Sequence, residues 1–226
     1  MNLYFLVEGK STEKKVYPAW LAHLLPELQQ VNNYDEVHKN NYYLFTANGY
    51  PSIIYKHLPN AIEDIRAIGK YNYCIVCLDA EENNGSDIQE EILNFLRDRS
   101  IQMENTKLEI IIQNRCIETW FLGNSKIYLK NPQSQPLLEY TRYYNVSTNC
   151  PELMGKFCEN THAQFHEAYL KELFRAKSIN YSKNKPGDVI KPYYLEQLLK
   201  RTQNQPKHLL SFQKFIRLCK KIKEQL

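Results

Sequence analysis

Residues 2–13, NLYFLVEGKSTE, decide the fold. The run NLYFLV is apolar without alternation, the pattern of a strand buried on both faces. An acid and a glycine follow it. From 12 to 29 the apolar residues then recur at helical spacing through Val16, Trp20, Leu21, Leu24, Leu25 and Leu28. Strand followed by helix repeats down the chain. YYLFT at 42–46 precedes a helical stretch over 51–68 with Ile53, Ile54, Leu58, Ile62 and Ile65 on one stripe, and Asn48-Gly49 marks the junction. YCIVCL at 73–78 precedes a helix over 87–99, and EIIIQ at 109–113 precedes a short helix in IETWFLG. Four such units in series predict an α/β, Rossmann-like parallel sheet with helices on both faces. From residue 125 the rhythm changes to a stretch rich in Asn, Pro, Ser, Gln and Tyr, followed by two or three helices without a further clear strand. The expected organisation is therefore an α/β domain over 1–124 and a mainly helical, basic region over 125–226.

Composition narrows the class. The 226 residues are 43% hydrophobic and 24% charged, which excludes disorder over most of the chain, and six Cys are too few for a disulfide scaffold. No apolar run approaches the roughly 20 residues that span a bilayer, so no membrane partner is expected. MNLYFLVEGK reaches an acid at position 8 without a basic leader or a small-residue cleavage site, so a cytoplasmic location with free thiols is expected. The net charge of +4 permits a nucleic-acid partner. Its basic excess is concentrated in residues 171–226, and the rest of the chain is net acidic.

The acids occupy informative places. Ligands of open parallel sheets bind beyond the carboxyl ends of the strands. Glu8 directly follows the first strand, Asp79, Glu81 and Glu82 follow the third in LDAEE, Glu118 lies just past the fourth, and Glu13 opens the first helix. Carboxylates crowded at one rim repel one another, and a hard cation, Mg²⁺ or Mn²⁺, is the natural compensation. Acids in a first helical turn are also favoured by the helix dipole alone, which is a sufficient reading for Glu13, Glu82 and Asp87. Glu8 and Asp79 stand apart because a turn needs no acid at those positions.

VEGKSTE after a first strand, with LDAEE after a third, resembles the TOPRIM domain of topoisomerases, primases and nucleases. That pattern is a Glu-Gly after strand one and an Asp-x-Asp after strand three, and here Glu81 stands at the second Asp. RCIETWFLGN, YSKNKPGDVIK at 181–191 and HLLSF at 208–212 further resemble small stand-alone TOPRIM proteins of bacterial anti-phage systems, related to the OLD nucleases. The resemblance implies a metal-dependent nuclease acting on DNA or RNA as an effector in phage defence. It implies Glu8 as general base or acid and metal neighbour, Asp79 and Glu81 as holders of Mg²⁺, and Glu13 and Glu118 as further acids of the metal set. A non-catalytic binding or regulatory subunit that acts with a partner ATPase is the rival reading, kept open by Glu81. Oligomerisation stays open as well.

Other signals are weaker. Lys183, Lys185 and Lys191 flank Pro186-Gly187 in a loop that could meet phosphates and screen the acids, and a solvated basic loop explains them equally well. Arg115, beside Glu118, reads as a phosphate clamp or an ion-pair partner. Cys74 and Cys77 form a CxxC inside a strand, where positions i and i+3 face opposite sides, so they are expected to be core thiols. His162 and His166, four apart on a helix, lack a third ligand of fitting spacing and are expected to be metal-free. GKST lacks the spacing of a phosphate-cradling loop, which argues against an ATPase. The last helix, with Leu209, Phe212, Phe215, Ile216 and Ile222 among lysines, is expected to pack its apolar stripe on its own domain.

Overall fold

The computed structural model describes residues 1–226. Its elements run β1 (Asn2–Val7), α1 (Glu13–Leu24), β2 (Gln29–Val31), β3 (Asn41–Thr46), α2 (Leu58–Ile68), β4 (Tyr73–Asp79), α3 (Gly85–Asp98) and β5 (Lys107–Gln113), then α4 (Ile117–Phe121), α5 (Gln135–Tyr143), α6 (His162–Ala176), α7 (Pro192–Asn204) and α8 (Leu210–Lys223). The five strands form one parallel sheet in the order β2-β3-β1-β4-β5, consistent with a Rossmann-like fold. Moving from β1 outward to β3 and then across to β4 reverses direction, so right-handed crossovers place helices on opposite faces.

The chain folds as two compact units, one of residues 1–78, 84–112 and 215–226 and the other of 79–83 and 113–214. This division differs from the one expected at residue 124. The loops leaving β4 and β5 belong to the second unit, and the last turns of α8 belong to the first.

In the first unit, alternation along β1 sends neighbouring rings to opposite faces. Phe5 meets Tyr17 of α1 with ring centroids 6.2 Å apart, and Tyr17 meets Phe215 of α8 edge-on at 5.4 Å. Tyr4 points the other way, where its hydroxyl donates to Asp64 of α2 at 3.2 Å. Cys74 and Cys77 follow the same rule. Cys77 lies against Tyr17 and Cys74 against Tyr4, and burial pushes both thiols up to about 12, so they are inert core groups. The helix expected over 12–29 stops at Leu24. Pro26 disfavours the helical conformation at the residue before it, and the chain turns into the short edge strand β2, leaving Leu25 and Leu28 buried outside the helix.

The second unit is helical. α6 starts with a capping box in which the Thr161 hydroxyl accepts from the Gln164 amide and the Gln164 side chain accepts from the Thr161 amide. Its core gathers Trp120, Phe121, Phe165, Tyr169, Phe174, Tyr194 and Phe212, all fully buried. Arg201 of α7 is buried without a carboxylate partner. Its guanidinium donates instead to the carbonyls of Val146, Ser147 and Asn149 and the hydroxyl of Tyr128, at 2.9 to 3.3 Å. The Ser211 hydroxyl, on the first turn of α8, accepts from the Trp120 indole at 2.7 Å and donates to the Glu152 carboxylate at 2.5 Å. Four helices follow residue 125, where two or three were expected, and none of the helices is long and apolar enough to cross a membrane.

Phe215→Ala is expected to lower the free energy of unfolding by about 3 kcal/mol, the cost of deleting a fully buried ring. A urea titration of the variant beside the parent checks it.

Candidate functional site

β1 and β4 are adjacent and parallel, with Val7 opposite Cys77, and the Glu8 amide continues the ladder by donating to the Cys77 carbonyl at 3.0 Å. Glu8 therefore follows β1 directly, and Asp79 is the last residue of β4.

On the first unit, Glu8 is half-buried and its Oε1 accepts from the Tyr50 amide at 3.1 Å. Glu13 is buried in the first turn of α1, with its carboxylate folded back against Gly9 so closely that a Cβ there would overlap it. This explains the glycine of VEGKSTE without a phosphate loop: only a residue lacking a side chain lets the acid lie on the backbone.

On the second unit, the loops that leave β4 and β5 are tied together. The Ala80 amide donates to the Gln113 carbonyl and the Glu81 amide to the Arg115 carbonyl, at 2.9 and 2.8 Å. Arg115 Nη1 returns two bonds at 3.1 Å, to the carbonyls of Glu81 and Asn83. Both Glu81 and Arg115 sit at positive φ, 46° and 80°. Arg115 thus staples the two loops through Nη1.

Two of the acids here, Glu82 and Glu118, are met by bases from far along the chain. Glu82 sits at the start of α6, where the His162 amide donates to it at 2.7 Å, His162 Nδ1 lies at 3.0 Å and the Lys156 ammonium at 2.5 Å. Burial works to raise the Glu82 carboxyl, and these partners outweigh it and bring the group down to about 2. Glu118 is buried in α4, accepts from the Tyr181 hydroxyl at 2.9 Å and faces Lys183 Nζ at 4.0 Å, which also approaches Glu167 at 3.4 Å. Burial disfavours the Lys183 charge, and Glu118 and Glu167 more than offset that and hold its ammonium firmly protonated. The Cys116 thiol is fully buried and is pushed well up, first by burial and then by the negative charges of Glu118 and Asp79.

The other candidates part company. Lys191 pairs locally with Asp188 at 2.7 Å, and Lys185 stays exposed. His162 and His166 do not act as a pair, because His166 is buried with Nδ1 2.7 Å from Thr119 Oγ1 and Nε2 3.3 Å from the Met154 carbonyl. Sequence reasoning missed Tyr181, Glu167 and Lys156. Tyr181 opens the same YSKNKPGDVIK segment whose lysines drew notice, and its hydroxyl is the group that holds Glu118.

The donor set of these loops is carboxylate, the chemistry a hard divalent cation takes. No group of three or more His, Cys, Asp or Glu side chains is gathered closely enough to enclose one ion. Comparisons of the chain with protein families, with curated proteins and with solved structures returned no match.

Burial holds the His166 imidazole down at about 3, against 6.5 for an ordinary histidine. Between those values the unfolded chain binds a proton that the folded chain does not, so stability is full above pH 6.5 and falls as the pH drops towards 3. One unit below the ordinary value the loss from this group is expected to approach about 1.4 kcal/mol. Urea titrations above and below that value should show it for the parent, and His166→Gln should remove that part of the slope.

Proposed function

We propose that this chain is a TOPRIM-like nuclease that cleaves DNA or RNA phosphodiesters with Mg²⁺ or Mn²⁺ and acts as an effector in phage defence. The observation that carries the reading is that Asp79 closes β4 and Glu118 lies just past β5, so both carboxylates stand at the carboxyl ends of strands of a parallel sheet, where such sheets bind their ligands. Those two carboxylates, with the exposed Glu81, would hold the ion, and the ion when bound supplies an activated water and takes up charge on the phosphoryl oxygens. Tyr181 fixes the Glu118 carboxylate through its hydroxyl. Lys183 carries a permanent positive charge to the same acid, where it neutralises the repulsion a phosphate would meet. Glu8 is assigned the proton transfer at the attacking or leaving oxygen, and Glu13, its carboxylate laid on Gly9, supports the chain at that turn.

A second reading is a binding or regulatory subunit that works with a partner ATPase. Lys183 favours it, since an ammonium already compensates Glu118 and no three-ligand group surrounds an ion site.

Cleavage of single- and double-stranded DNA and RNA by the purified chain, with and without candidate ATPase partners, separates the two. A nuclease should act with Mg²⁺ or Mn²⁺, stop with EDTA, and lose at least ~100-fold in turnover on Asp79→Ala or Glu8→Ala, because each removes stabilisation made mainly in the transition state. Full cleavage by Asp79→Ala, or full protection against phage by that variant where no cleavage is found, hands the role to the binding subunit.

A further inference from the structure

The first unit carries an aromatic surface that nothing above uses. Tyr50 and Tyr55 are 42% and 50% exposed, far more than the buried tyrosines of the sheet. Their hydroxyls nevertheless converge on one carboxylate: Tyr50 donates to both oxygens of Glu91 at 3.2 and 3.0 Å, and Tyr55 donates to Oε1 at 2.6 Å. Glu91 of α3 thus fixes two rings whose surfaces stay in solvent. Tyr55 is braced further by Phe95, edge-on at 5.0 Å, with the Arg99 guanidinium 5.9 Å over the Phe95 ring. The backbone of Tyr50 is tied to Glu8.

Two exposed cations stand on the segments that carry these rings and Glu8, in company with the Glu8 and Glu91 carboxylates. Lys10, two residues after Glu8, and Lys56, next to Tyr55, both lie close enough to His57 to hold its imidazole down after burial has done most of that work. Both lysines are exposed, and neither is in an ion pair. Exposed aromatic rings with cations outside any ion pair are what single-stranded nucleic acid recognises: bases stack on the rings and phosphates meet the ammonium groups. A duplex hides its bases in its own stack and gains only the second contribution. Fixing the rings in advance removes much of the ordering cost of binding.

We propose that Tyr50 and Tyr55, held by Glu91 and flanked by Lys10 and Lys56, form a stacking platform for single-stranded nucleic acid beside Glu8. The proposal rests on the nuclease reading and gives its substrate as unpaired strand.

The test is binding in EDTA, where no metal-dependent cleavage intrudes, of a fluorescein-labelled single strand of about 20 nucleotides, as DNA and as RNA, and of the matching duplex. The single strand is expected to bind the parent at least ~10-fold more tightly than the duplex. Tyr50→Leu and Tyr55→Leu, which keep apolar bulk and lose the ring, should each weaken single-strand binding at least about 5-fold and leave duplex binding unchanged. Tyr55→Trp should retain it. Lys10→Ala and Lys56→Ala should weaken both ligands and each flatten the salt dependence for the single strand by about 0.7 in log-log slope. Equal binding of strand and duplex, or leucine variants that bind like the parent, would overturn the platform. A dimer lost on Tyr55→Leu in sedimentation, with oligonucleotide binding unchanged, would assign the patch to a second copy and overturn it too. The nuclease reading fails separately, on Asp79→Ala retaining cleavage, and the binding results stand whichever way that assay falls.

Discussion

Two residues with side chains are held in the left-handed region opposite one another, Glu81 after β4 and Arg115 after β5, and the two loops that carry the candidate acids of the second unit are joined by that pairing. A non-glycine residue at positive φ costs on the order of 1 kcal/mol or more, and it persists only where its surroundings over-determine it. Here the surroundings are reciprocal. The Glu81 amide bonds the Arg115 carbonyl, and the Arg115 guanidinium bonds the Glu81 and Asn83 carbonyls, so each strained residue is the other's restraint. The turn that carries Glu82 and the segment that leads from β5 to Glu118 are joined by these bonds.

The electrostatics then follow a single logic. Glu82 and Glu118 lie past the ends of β4 and β5, and the bases that answer them come from residues 156 to 183, in a part of the chain that is otherwise helical. The basic excess of the carboxyl-terminal quarter is therefore partly local compensation. Lys183 is the clearest case, placed between Glu118 and Glu167 and more firmly protonated than a free lysine. Glu82 is the mirror case, an acid kept ionised by a helix terminus, an imidazole and an ammonium.

Four of the five strands were legible because each is a short apolar run with a turn at its end, and the covered sheet followed from their alternation with helices. β2 was not legible: QQV is mostly polar, two of its three residues are exposed, and it takes its strand character from pairing beside β3. The end of α1 was signalled by Pro26, and the apolar spacing that carries on through Leu25 and Leu28 masked it. At the site, the acids could be named from their position after strands, since that information is local. Their partners could not, because Tyr181, Lys156 and Lys183 reach Glu118 and Glu82 across 63, 74 and 65 residues of chain. The stapling role of Arg115 was hidden for a related reason: no side-chain pattern announces that an arginine will bond backbone carbonyls.

α8 begins in one unit and ends in the other, with Ser211 and Phe212 serving the second and Phe215 and Cys219 the first. The Phe215 ring that closes over Tyr17 lies about two hundred residues along the chain from the helix it packs on, while Tyr17 itself packs on Phe5 from the very next element. Closing a loop of that length costs entropy before any contact rewards it, so the same small aromatic stack joins one of the chain's most local contacts to one of its most distant, and the distant one sets its folding rate.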